Sequence, residues 1–144
     1  MLIILLLHLL TGQSFAPVAS AGQPAIVRVS VIKIDGQKGD IYAALYATDK
    51  GFPMDPDRAF RTARAQAKNG SAQLQFENVP PGTYAIALFH DTNGDGTLNT
   101  NLLGIPKEGY GVSNNVKNMF SGPTFRQAAF RHQQETQLTI QVRY

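Results

Sequence analysis

Residues 71–91 read SAQLQFENVPPGTYAIALFHD, and the reading of this stretch decides the fold. Ala72, Leu74 and Phe76 fall on one face, and Ser71, Gln73, Gln75 and Glu77 fall on the other. Successive side chains of an extended chain point to opposite sides, so a period of two describes a strand with one face on a core. Pro80 and Pro81 stop that strand, because proline offers no N–H to a ladder, and Gly82 permits a tight reversal. The segment that follows, TYAIALFHD, is apolar on both faces. It reads as a central strand covered from each side.

The same grammar continues outward. Residues 136–144, TQLTIQVRY, set Leu138, Ile140, Val142 and Tyr144 against Thr139, Gln141 and Arg143. Residues 25–34 and 40–48 are rich in β-branched and aromatic side chains and read as deeply buried strands. In RAFRTARAQAK, residues 58–68, the residues Arg58, Arg61, Arg64 and Lys68 would also form a stripe on a helix. Asn69-Gly70 follows directly, a strong hairpin signal, so a strand is expected there instead. It would point Ala63, Ala65 and Ala67 inward and pair with residues 71–78 through that turn. A weaker strand covers AAFRHQ, residues 128–133, with His132 at the surface. About seven strands between turn signals predict an all-β fold. The expected architecture is a single antiparallel β-sandwich, immunoglobulin-like or transthyretin-like, with one long loop.

Composition bounds the rest. Residues 1–21 run from an apolar stretch, Leu2 to Leu10, to Ala19-Ser20-Ala21, the layout of a cleaved secretory signal, although no Lys or Arg precedes the apolar run. That stretch is shorter than the roughly 20 apolar residues of a membrane span, so no span is expected after cleavage. Residues 22–144 then form one β-sandwich domain, periplasmic or secreted. The chain has no Cys, which removes disulfides, thiolate metal sites and cysteine nucleophiles. A net charge of +3 is too mild to argue for nucleic acid.

Between Asp91 and Ala128 the alternation vanishes, and a long gap of this kind often carries function. Oxygen-bearing side chains recur at Asp91, Asn93, Asp95, Thr97 and Asn99, with Gly94 and Gly96 between them. Hard cations such as calcium take six to eight oxygens, and Asp91-x-Asn93-x-Asp95-Gly96 matches the first half of an EF-hand loop. Leu102 stands where that loop needs its bidentate Glu, so an EF-hand is rejected. A calcium loop on a β scaffold, completed by Glu108, stays open beside a plain turn whose Asp and Asn bond their own backbone. Downstream, LGIPKEGYGVSNN could line a small polar pocket, with Glu108, Tyr110, Ser113 and Asn114 joining His90 as ligand-binding candidates. It could equally fold over the sandwich end and satisfy its own backbone. No spacing sets a base against a nucleophile, so no catalytic residue is assigned.

Residues 76–115, from FENVPPGTY to GVSNN, with GPTFRQAAF at 122–130 and a final strand, resemble the bacterial domain of unknown function 2141. The resemblance implies a small exported protein and supplies no activity. The turn VPPGTYA, residues 79–85, is similar to that of transthyretin-like and collagen-adhesin B-type sandwiches. The expectation is an exported binding or structural module, its partner a small molecule, a glycan or an envelope protein, with calcium as the one candidate ion. The alternative is an envelope hydrolase acting on carbohydrate or peptide through His90 and Glu108. A strand-adding interaction module is a third reading.

Overall fold

A computed structural model describes residues 22–117 and 121–144; the expected signal segment, residues 1–21, lies outside the described residues. Among the described residues, eight strands form two sheets. In the first sheet the central strand is β1 (Ala25–Ile32), flanked by β4 (Ser71–Val79) and β8 (Thr136–Gln141). In the second the order is β3 (Arg61–Gln66), β2 (Asp40–Tyr46), β5 (Gly82–Asp91) and β6 (Tyr110–Val112). A short β7 (Phe130–His132) pairs with the start of β5.

The strand pattern of residues 71–91 acts as its periodicity demands. Ala72, Leu74 and Phe76 of β4 are buried in the core between the sheets, beside the fully buried Val27, Val29 and Val31 of β1. Full burial of each valine contributes roughly 1.5–3 kcal/mol before chain entropy is counted. β5 has two covered faces because it is central. Tyr84, Ile86 and Leu88 enter the core between the sheets, whereas Ala85 and Ala87 belong to a second apolar cluster on the outer face. The Tyr84 hydroxyl donates to the Pro80 carbonyl at 2.9 Å, closing the proline corner in the manner of sandwich tyrosine corners.

Four expectations need correction. Asn69-Gly70 does form a turn with positive φ at both residues, and a single bridge joins Lys68 to Ser71. The strands on either side then part: β3 pairs with β2 and β4 with β1, in opposite sheets. Chain turn and sheet pairing are separable because burying Ala67 and Ala72 in the core carries the chain across the sandwich there. Second, the sandwich is not wholly antiparallel, since β8 runs parallel to β1. Third, the long loop contains β6, three residues too short to show a period. Fourth, His132 is fully buried, its ring nitrogens 2.8 Å from Thr136 Oγ1 and 3.0 Å from the Val79 carbonyl. Those two partners replace the water a surface histidine would use.

Candidate functional site

The outer face of the second sheet is where β5 exposes its second apolar side. Register across the strands sets side chains in rows. One row runs Arg64, Tyr42, Phe89, Tyr110, Arg143, the last joined by a bridge between Tyr110 and Arg143. The next runs Thr62, Ala44, Ala87, Val112. The third, Tyr46 and Ala85, is roofed by Phe52, Phe125 and Ala128 of the second apolar cluster. Small side chains between an aromatic row and a roofed row leave a trough. It encloses about 960 Å³, and its far wall includes Leu98, Leu103 and Ile105, with Met54 at the rim. That volume suits a small-molecule site.

The aromatic row is not a flat platform. Tyr42 and Phe89 stack with centroids 5.4 Å apart and planes 10° from parallel. The Arg64 guanidinium lies over the Tyr42 ring at 4.9 Å and pairs with Asp40. Tyr42 is thus covered by Phe89 from β5 and by Arg64 from β3.

Carboxylates hold the wall in place. Asp91, at the end of β5, is almost fully buried, and its two oxygens accept from the Gly94 and Gly96 N–H groups, each at 2.8 Å. Both glycines have φ of +76°, a conformation costly for any side chain, so the sequence Asn93-Gly94-Asp95-Gly96 is what lets the chain wrap around Asp91. Glu108 accepts from the Thr92 N–H at 3.0 Å, the Thr92 hydroxyl at 3.1 Å and the Asn99 N–H at 3.1 Å. It ties both ends of residues 92–99 together. The Asn101 side chain accepts from the Leu103 and Ile105 N–H groups, so the apolar tip is a hydrogen-bonded turn although Leu102, Leu103 and Ile105 face solvent.

Asp95 is exposed. Hydrogen bonds from the Asn99 amide, then from the Thr97 N–H, hold its carboxyl down at about 2. The folded value lies below the usual 3.9 of an unfolded Asp, so its contribution to stability is complete above about pH 4 and is lost as pH falls toward 2. Melting temperatures of the wild type should therefore fall more steeply across that window than those of Asp95→Asn. Parallel curves would remove Asp95 as a source of loop stability.

The metal candidates Asp91, Asn93, Asp95, Thr97 and Asn99 do lie in one turn, linked to one another and to loop amides. Among the described residues no group of three or more His, Asp or Glu converges as a metal cage. The ligand candidates separate. Tyr110 lines the groove. Ser113 is fully buried, accepting from the Ile86 N–H at 2.9 Å and donating to the Ala128 carbonyl at 2.5 Å. The Asn114 amide donates to the Gln127 and Ala129 carbonyls. Glu108 is the loop tie. His90 is fully buried, with Nε2 donating to the Lys38 carbonyl at 2.8 Å and Nδ1 accepting from the Tyr144 hydroxyl at 2.7 Å. Neither His90 nor Glu108 lines the groove.

Sequence reasoning missed Tyr42, Ala44, Ala87, Phe89 and Arg143. The signal available was the doubly apolar stretch 83–91, which announces two covered faces without saying that one of them is partly open.

A family model described as an uncharacterized protein conserved in bacteria (DUF2141) matches residues 29–141. The chain belongs to this family. The match spans every strand from β2 to β8 and the second half of β1, and so includes the loop and all of the groove lining except Arg143. No curated protein and no solved structure matches the chain significantly.

Proposed function

We propose that this DUF2141 protein is an exported binding module and that the outer-sheet groove holds an apolar small molecule. The observation that carries the reading is the trough itself: a floor of Ala44, Ala87 and Val112 walled by Leu98, Leu103 and Ile105. Exposed aliphatic side chains are normally scattered singly, and a rigid turn that lines them up along a cavity needs a reason. A glycan fits less well, because sugars stack on open aromatic faces, and those of Tyr42 are taken. Strand addition is disfavoured along β3, an edge that carries Arg61 and Arg64. Calcium enters this reading as an ion that would tighten the 91–99 turn; its support is the spacing of Asp91, Asn93 and Asp95. No hydrolase is proposed, because His90 and Glu108 have their polar atoms bonded inside the fold.

The test is a titration of residues 22–144 with N-phenyl-1-naphthylamine, a neutral fluorophore that brightens in apolar surroundings. Enhancement is expected in the wild type. Ala87→Phe, which fills the floor, should weaken it by roughly tenfold or more, with folding verified by circular dichroism. Equal enhancement in both proteins would place the dye elsewhere and remove the groove as the site.

A further inference from the structure

Of the residues lining the groove, Arg143 is the one that carries a formal charge, and no acidic side chain lines it among the described residues. The arginine is half-buried beside Tyr110 in the aromatic row. Its Nη1 donates to the Val116 carbonyl and its Nη2 to the Asn115 carbonyl, both at 2.8 Å. Those bonds fix the guanidinium at the groove without neutralising it, and Arg143 forms no ion pair among the described residues. Two arginines of β3 behave differently. Arg64 is paired with Asp40 and stacked on Tyr42, and Arg61 lies over Phe60.

A guanidinium has five N–H donors in a fork suited to a carboxylate, and two are used here. A lone, fixed cation in an apolar trough is favourable to a ligand that brings one anionic group and an apolar body. An ion in that position is partly desolvated, so a neutral ligand would leave it without compensation. The body must suit a floor of small side chains bounded by aliphatic walls and by the Tyr42 ring, whose faces are occupied. An unbranched chain meets that shape better than a flat ring system does.

Resting on the groove reading above, we propose that the ligand is a long-chain carboxylate, its alkyl chain along Ala44, Ala87 and Val112 and its head group on Arg143. The charge complementarity is one to one. The remaining polar lining, with Thr62, Asn115 and Gln141, holds no competing anion.

Displacement of N-phenyl-1-naphthylamine by laurate and by 1-dodecanol tests this, since the two share a chain and differ in the head. Laurate should displace the dye about tenfold more effectively, the scale expected for a charge-assisted hydrogen bond. The preference should disappear in Arg143→Gln and largely persist in Arg143→Lys. Equal displacement by acid and alcohol would overturn the carboxylate assignment and leave the groove standing. Dye binding that neither compound displaces would also overturn it. No dye binding at all would overturn the groove reading itself, a distinguishable result. The acid–alcohol comparison is made in the wild type, so it holds even if Arg143→Gln loosens residues 115–116 and fails to fold.

Discussion

Asp91→Ala should lower the melting temperature by roughly 10 °C, close to 3 kcal/mol, and weaken dye binding in the groove at the same time. The carboxylate is 2% exposed and accepts from two backbone N–H groups, those of Gly94 and Gly96. Alanine would remove the acceptor that both donors share at the root of the loop, and a hydrogen bond to a charged group is worth about 1.5–3 kcal/mol. The loop they belong to continues into Leu98, Leu103 and Ile105, so loosening it lowers the wall of the groove. Asp95→Ala is the comparison, because its carboxylate is exposed and bonds only within the turn, so its loss should be smaller than that of Asp91→Ala. The same melts with excess calcium and with a chelator decide the ion. A loss for Asp91→Ala that is equal in both buffers leaves hydrogen bonds as the loop's whole support. A wild-type rise with calcium, absent in Asp95→Ala, would make the turn a cation site through linkage of binding to folding.

His90→Ala should cost about 3 kcal/mol of stability while leaving the wild-type dye affinity of the folded fraction within about twofold. The ring is fully buried and joins two distant pieces of chain: the Lys38 carbonyl before β2 and the hydroxyl of Tyr144. The Tyr144 hydroxyl in turn accepts from the Asp35 N–H at 2.9 Å, so one imidazole organises the 35–38 turn and the final residues together. Removing it opens a cavity and strips partners from a carbonyl and a hydroxyl. An enzyme that used His90 as its base would behave the opposite way, losing turnover at nearly unchanged stability. Thermal melts of the purified variant separate the two, and a melting temperature within about 2 °C of the wild type would return His90 to the list of reactive groups.

The residues differ in how openly they declare themselves. The period of two in 71–77 and 136–144, and the Pro80-Pro81-Gly82 corner, are local properties, and local sterics enforce them wherever the chain goes. They settled the all-β class, and residues 76–115 carried the resemblance to the family whose model matches residues 29–141. Asn69-Gly70 was legible as a turn for the same reason. Its strands could not be paired from sequence, because a turn constrains four residues while sheet membership follows from which surfaces the whole chain can bury. Asp91 and Glu108 were visible as oxygen-rich loop chemistry, but their acceptors point at amides that only the folded loop brings close.

The groove shows the limit most clearly. Tyr42, Phe89, Tyr110 and Arg143 lie on three strands and one terminal segment, and nothing in their spacing along the chain relates them. They became a row when β2, β5 and β6 took their register, a long-range choice made by core packing. The sequence by itself determined where strands, corners and the glycine-rich turn had to be, since those depend on neighbours a few residues apart. The tertiary structure alone decided which face of β5 stayed partly open and which charge came to stand beside it.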